Sequence, residues 1–75
     1  MAEIGKRYRF DYPIEFTTLP EYSARRGAIV TVIRLLTDEE AQTPNVEEGI
    51  TRMYAIRDSA GWNGHAWEEE LIDLA

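Results

Sequence analysis

Alternating aromatic and polar positions mark the first extended segment of the chain. Within residues 6–12 every second residue from position 8 is aromatic, so one face of a predicted strand carries Tyr8, Phe10 and Tyr12. Pro13 then ends this strand or confines it to a sheet edge. A second short extended piece is predicted over residues 14–18, and a loop follows over residues 19–26.

The densest run of β-branched residues lies between Ala28 and Leu36 and predicts the strongest strand of the chain. Val30 and Val32 occupy one face of this strand, and the other face carries Ile29, Ile33 and Leu35. Because both faces are largely apolar, we expect a central strand that is covered on both sides.

The remaining chain predicts an excursion loop, a hairpin and a closing strand. Thr37-Asp-Glu-Glu40 matches a capping box, which favours one or two helical turns within an acidic loop over about residues 37–49. The residues that follow predict, in order, a strand over 51–57, a turn over 58–61, an antiparallel strand over 62–67, one helical turn over 68–71 and a short strand over 72–74. The sequence therefore predicts a single all-β domain over residues 1–75, a small barrel of about five strands.

Four segments, in the expected order, carry a resemblance to a known family. Phe10–Tyr12, Arg25–Val32, Met53–Ile56 and Gly64–Leu71 resemble the aromatic-Asp-Tyr opening, the basic-Gly-hydrophobic strand, the aromatic-bearing strand and the closing run of SH3-like barrels. The resemblance covers nearly the whole chain. It implies a five-stranded barrel with a short 3₁₀ turn before the last strand, and it extends to small barrels encoded by actinobacteria and their phages.

The same comparison argues against one activity of that family. SH3-like domains that bind proline-rich peptides use a proline and a tyrosine in their last turn. Trp67 and Glu70 stand in the corresponding places here. The resemblance therefore does not imply polyproline binding, and fold alone selects no function.

Composition excludes several classes of protein. The 75 residues contain no cysteine and one histidine, which excludes disulfides, thiolate metal sites and a multi-histidine zinc site. No apolar run approaches the ~18 residues that span a bilayer. The N-terminal residues also lack the apolar centre of a signal peptide. We expect a soluble cytoplasmic protein that needs no cofactor.

The net charge of −6 is unevenly distributed. Residues 1–34 carry six basic and four acidic side chains, whereas residues 35–75 carry two basic and ten acidic ones. An acidic half of this density disfavours direct contact with nucleic acid, whose binding needs cations. We expect an acidic surface formed by Asp38, Glu39, Glu40, Glu47, Glu48, Glu68 and Glu69.

Neither catalysis nor metal binding is indicated by the remaining candidates. His65 has an ordinary pKa near neutrality, but Ser23 and Ser59 are the only serines and no nucleophile–base motif joins them to it. Consecutive acids point apart along a strand or helical turn, and the Asp-x-Asp-x-Asp-Gly spacing of a calcium loop is missing. We expect a protein that is not an enzyme.

Aromatic side chains supply the candidate binding surface. Tyr8, Phe10, Tyr12, Tyr22 and Tyr54 would form a patch if the first strand packs beside the hairpin. Of the two tryptophans, Trp67 is expected in the core and Trp62 at the surface. We predict a protein-interaction module whose contact involves Tyr12, Tyr54 and Trp62, with Glu15 and Glu21 meeting a basic partner protein.

Two other functions remain open at this point. Carboxylates spaced over a rigid surface imitate a phosphate lattice, so the chain could be a phage-encoded acidic inhibitor of a host nucleic-acid-binding defence protein. The size also suits a small structural subunit of a phage or multiprotein particle. The sequence determines neither the partner nor the oligomeric state.

Overall fold

The computed structural model describes residues 2–12, 20–42 and 52–74, and these residues form a mostly β structure. Its strands are β1 (Arg7–Phe10), β2 (Ile29–Leu35), β3 (Met53–Asp58), β4 (Asn63–Trp67) and β5 (Leu71–Ile72). The helical segments are α1 (Pro20–Ser23), α2 (Asp38–Ala41) and a 3₁₀ turn (Glu68–Glu70). The prediction of an all-β fold is confirmed, while the extended piece predicted over residues 14–18 lies outside the described residues.

The five strands form one antiparallel sheet in the order β4-β3-β2-β1-β5. β2 lies at its centre, as predicted. The edge strands β4 and β5 are consecutive in the chain and are joined only by the 3₁₀ turn, although they lie at opposite ends of the sheet. The pairing of β2 with β3 shifts its register between Val32 and Arg34, which marks a bulge-like irregularity.

The core lies on one face of this sheet, where alternate side chains of each strand meet. Phe10 is completely buried, and the other buried apolar residues are Tyr8, Val30, Val32, Leu36, Tyr54, Ile56 and Ala66. Successive strand side chains point to opposite faces, so the predicted alternation in β1 places Tyr8 and Phe10 inward together. Tyr12 follows the end of β1 and is half-buried against this cluster.

The expectation that β2 is covered on both sides is wrong. Val30 and Val32 are buried, but Ile29 is 40% exposed and Ile33 is 37% exposed on the opposite face. Helical segments of four residues are too short to cover a sheet face, and residues 2–12, 20–42 and 52–74 contain no longer helix. β-Branched side chains favour a strand whether or not they are buried. A high density of them therefore predicts a strand, but it does not predict that both faces of the strand are covered.

The predicted loop over residues 19–26 instead contains the helical turn α1. Proline suits the first position of a helix, because its fixed φ is already helical and the amide hydrogen that it lacks would be unpaired there. Pro20 occupies that position in α1. The turn is extended by Arg25, whose Nη1 donates to the Glu21 carbonyl oxygen at 2.7 Å.

The predicted capping box at the start of the excursion loop is confirmed. Thr37 Oγ1 accepts from the Glu40 amide at 3.2 Å, and the Glu40 carboxylate accepts from the Thr37 amide at 3.0 Å. The same carboxylate binds both terminal nitrogens of Arg34. The pKa of Glu40 falls to about 2, chiefly through the hydrogen bond from Arg34. This stabilisation is therefore present above the ordinary pKa of 4.5 and is lost as pH falls through about 2.

Membrane insertion through a helix has no support in the part of the chain that the structure describes. No helix there combines the length and the apolar character required to cross a bilayer.

Candidate functional site

Three neighbouring half-buried rings form the most distinctive surface feature, which we call the aromatic row: Tyr12, Tyr22 and Trp62. The Tyr12 and Tyr22 ring centroids lie 5.3 Å apart, and those of Tyr22 and Trp62 lie 4.9 Å apart in an edge-to-face arrangement. The buried ring of Phe10 supports the row from the core, 5.6 Å from Tyr12 and 6.2 Å from Tyr22. The row is therefore continuous with the core and partly open to solvent.

Tyr22 is the centre of the row because α1 places it between the other two rings. Its hydroxyl accepts a hydrogen bond from the His65 amide at 2.9 Å, which fastens α1 to β4. From the sequence, Tyr22 is predicted only as one member of a wider aromatic patch. The helical turn that positions Tyr22 depends on Pro20, and that proline was the signal that could have identified this residue.

Trp62 is held from two sides. Arg25 lies over its indole ring, with the guanidinium carbon 4.5 Å from the ring centroid, a cation–π contact. Arg25 in turn forms an ion pair with Asp58, with Nε and Oδ2 3.4 Å apart. The other carboxylate oxygen of Asp58 accepts from the amides of Ala60 and Trp62 and so shapes the turn. Asp58 thereby positions both the ring and the cation above it.

Tyr54 does not belong to this surface, which corrects the prediction. It faces inward from β3 and is only 2% exposed. Its hydroxyl donates to Glu68 Oε1 at 3.0 Å, and burial raises the pKa of the phenol. Because strand side chains alternate, Tyr54 shares the core face with Ile56 rather than the outer face.

The two tryptophans also differ from their expected roles. Trp67, expected in the core, is half-buried and does not pack against the core cluster. Trp62, expected at the surface, is half-buried and does pack against that cluster. The reason is strand register, because Trp67 lies opposite Met53 on the outer face of the β3–β4 hairpin.

The predicted acidic residues do not act as one surface. Glu21, Glu39 and Glu69 are exposed, whereas Glu40 is held by Arg34 and Asp38 is half-buried. Glu68 accepts from the Ala2 amide at 2.9 Å and from the Tyr54 hydroxyl. The remaining predicted acids, Glu15, Glu47 and Glu48, lie outside the described residues. The described carboxylates thus serve intramolecular bonds as well as solvation.

Among the described residues, Glu70 is the one acidic side chain that is buried, with 7% of its surface exposed. Its Oε1 accepts from the Trp67 amide at 2.8 Å, which closes the 3₁₀ turn onto the end of β4. Burial raises the pKa of this carboxyl above its ordinary value. A raised pKa means that the folded chain holds the proton more tightly than the unfolded chain does.

Replacing Glu70 with glutamine is expected to stabilise the protein at neutral pH. The ionised buried carboxylate costs stability as pH rises above the ordinary pKa of 4.5, and a glutamine amide oxygen still accepts from Trp67. Urea unfolding at pH 7 and at pH 4 should show a higher midpoint for Glu70→Gln at pH 7, with a smaller difference at pH 4. Glu69→Gln is the matched control, because Glu69 is exposed. Equal stabilisation by both variants would point to net charge instead of burial.

The candidates for chemistry are dispersed in the described structure. His65 is exposed on β4, and Ser59 is exposed in the turn after β3. Across residues 2–12, 20–42 and 52–74 no group of three or more histidine, aspartate or glutamate side chains is arranged to hold a metal ion.

Comparisons with known proteins find no matching family model, no similar curated protein and no similar solved structure.

Proposed function

We propose that this protein is a non-catalytic interaction module that binds a partner protein through the aromatic row. The observation that carries the proposal is the placement of Tyr12, Tyr22 and Trp62 side by side, half-buried and backed by the core. Tyrosine and tryptophan are enriched among the few residues that carry most of the binding energy at protein interfaces, because their large rings bury apolar area and also carry a polar group.

Contacts within the protein hold the rings of the aromatic row in place. Tyr22 is tied to β4 through the His65 amide, and Trp62 lies between Tyr22 and the Arg25 guanidinium. Side chains that are ordered before association lose little conformational entropy on binding. Preorganisation of this kind favours a binding role for the three rings.

A basic partner surface is part of the proposal. Glu21 is exposed on the helical turn that carries Tyr22, and the whole chain has a net charge of −6. Complementary charge at the rim of an interface mainly speeds association and selects the partner, while the rings supply affinity. Among the acids near the row, Asp11 is partly engaged by Arg26 at 3.8 Å, which leaves Glu21 as the described candidate.

We also propose that the sheet closes into an SH3-like barrel. Opposite edges of a flat five-stranded sheet lie about 19 Å apart, at about 4.8 Å per strand pair. The four residue steps from Trp67 to Leu71 through the 3₁₀ turn cover only about 8 Å, because this helix rises ~2 Å per residue. A sheet whose edge strands are joined this closely must curl strongly. The 3₁₀ turn before the last strand also agrees with the resemblance.

The test is to compare two tryptophan variants for binding to a partner. A partner would be captured from cells of the source organism by crosslinking, purified and titrated calorimetrically. Trp62→Ala should weaken the affinity at least ~30-fold, as expected for a central interface residue. Trp67→Ala, the same change outside the aromatic row, should have much less effect. Circular dichroism would establish that both variants are folded.

Other outcomes would reject the proposal. Equal effects of the two variants would remove the aromatic row from the interface. Binding that is spared by Trp62→Ala but abolished by charge reversal at Glu39 and by raising the salt concentration would support the acidic inhibitor instead. A calorimetric comparison at low and physiological salt separates these cases.

A further inference from the structure

The outer face of the sheet is basic although the protein is acidic. It carries four exposed arginines and a histidine from the four longer strands, which we call the basic face: Arg7, Arg9, Arg34, Arg57 and His65. These side chains alternate with the buried residues of the core. Exposed apolar side chains lie among them on β2, Ile29 and Ile33.

Strand register aligns four of the five residues of the basic face in two rows across the sheet, while Arg9 lies opposite Ile29. Arg7 lies opposite Thr31, Thr31 opposite Arg57, and Arg57 opposite Asn63. Neighbouring strands lie ~4.8 Å apart, so the backbones of Arg7 and Arg57 are about 10 Å apart on either side of a small hydroxyl side chain. The second row carries Arg34, Ala55 and His65.

The arginines of the first row are available for an anion. Arg57 Nε donates to Asn63 Oδ1 at 3.0 Å, which orients the guanidinium, and the Arg57 residue is exposed. The ion pairs among residues 2–12, 20–42 and 52–74 use Lys6, Arg25, Arg26 and Arg34, and no carboxylate of these residues lies within 4.0 Å of the Arg7, Arg9 or Arg57 guanidinium. Within the part of the chain that the structure describes, Arg34 is the one member of the basic face paired with a carboxylate, that of Glu40.

A shallow groove gives the basic face a shape. It has a volume of about 450 Å³ and runs over β2, β3 and β4 beside Tyr22, between Arg34, Arg57 and His65, with Ile33 and Ala55 in its wall. Arginine forks match carboxylates with two parallel hydrogen bonds, and aliphatic neighbours offer apolar contact beside them.

We infer that the basic face is a second docking surface, which binds an acidic segment of a partner protein. The partner segment would place carboxylates on Arg57 and Arg7 and an apolar side chain against Ile33. Protein is favoured over nucleic acid because the rest of the chain carries a large excess of acid, which repels an extended polyanion. Exposed isoleucines between the arginines also suit a protein contact. The inference does not depend on the function proposed for the aromatic row.

The experiment measures binding of a fluorescein-labelled peptide of alternating glutamate and leucine by anisotropy at low salt. The unmodified chain should bind it, and Arg7→Glu/Arg57→Glu should weaken binding at least about tenfold. The matched control is Lys6→Glu/Arg26→Glu, which makes the same change in net charge. Neither Lys6 nor Arg26 belongs to the basic face, so this control should stay within about twofold of the unmodified chain.

Two further measurements make the result specific. A glutamine version of the peptide should bind at least about tenfold more weakly, because arginine forks prefer carboxylates. Arg7→Lys/Arg57→Lys should lose part of the affinity although the charge is kept. Circular dichroism of each variant confirms that it is folded.

Four results would overturn the inference. The first is no binding of the peptide at millimolar concentration, and the second is equal weakening by the control pair. The third is tighter binding of a labelled oligothymidylate of the same charge, which would make the surface a nucleic-acid site. The fourth is a salt-sensitive self-association by light scattering that Arg7→Glu/Arg57→Glu removes, because the partner would then be a second copy of the chain.

Discussion

Replacing Phe10 with alanine is expected to leave most of the protein unfolded at room temperature. Phe10 is completely buried, and its ring supports two members of the aromatic row. Truncation of a buried phenylalanine costs about 3–5 kcal/mol through lost burial and the cavity left behind. A core in a domain of this size rarely supplies more than ~3–5 kcal/mol of net stability, so the loss consumes nearly all of it.

The measurement is urea unfolding followed by far-ultraviolet circular dichroism, with dispersion of the amide proton spectrum as a second readout. Ile29→Ala is the control, because Ile29 is 40% exposed on the outer face of the same sheet. That change should cost less than about 1 kcal/mol. A Phe10→Ala protein with a cooperative transition close to that of the unmodified chain would contradict the described core.

A methyl group at Gly64 is expected to displace the Trp62 indole. A Cβ atom at this position would overlap the ring, with Cζ2 at 2.8 Å and Cζ3 at 2.9 Å. Gly64 lies on the core-facing side of β4 with a backbone that alanine tolerates, so the cost arises from the ring alone. We expect Gly64→Ala to destabilise the protein by about 1–3 kcal/mol, the range for overpacking.

A double-mutant cycle tests this explanation. In the Trp62→Ala background the ring is gone, so adding Gly64→Ala should cost almost nothing or even stabilise the strand. Urea unfolding of the four proteins gives the coupling free energy. If Gly64→Ala is equally harmful with and without the indole, the close approach of Trp62 to β4 is not the cause. Loss of partner binding by Gly64→Ala would additionally connect the glycine to the aromatic row.

Local patterns predicted the strands well because each depends on near neighbours in sequence. Alternation in β1 correctly placed Tyr8 and Phe10 inward. The capping box at Thr37 and Glu40 also involves residues only three positions apart, so its chemistry is visible in the sequence. The prediction for β2 failed on one face, since its apolar residues do not reveal whether another element covers them.

The candidate site was less predictable because it depends on contacts between distant segments. Tyr54 and Tyr22 have the same side chain but different surroundings. Tyr54 is buried because it lies on the core-facing side of β3, whereas Tyr22 is half-buried because the helical turn α1 places it at the surface. The contact of Tyr22 with the His65 amide joins residues 43 positions apart. A contact over this distance in sequence cannot be predicted from the pattern of neighbouring residues.

The basic face could not be predicted by counting charges along the sequence, because it too depends on contacts between distant segments. The division at residue 34 assigned Arg57 to the acidic half and Arg7 to the basic half. Strand pairing through Thr31 brings these two residues to one face of the sheet. The distribution of charge along the chain therefore differs from its distribution over the folded surface.

The hydrogen bonds along β4 have a consequence for behaviour at high concentration. Sheet edges with unpaired amides act as templates on which further chains stack into fibrils. On β4 the His65 amide is occupied by the Tyr22 hydroxyl and the Trp67 amide by the Glu70 carboxylate. Two side chains thus occupy amides that an added strand would need. We therefore expect the folded protein to resist amyloid-like growth from the β4 edge, although no further strand covers it.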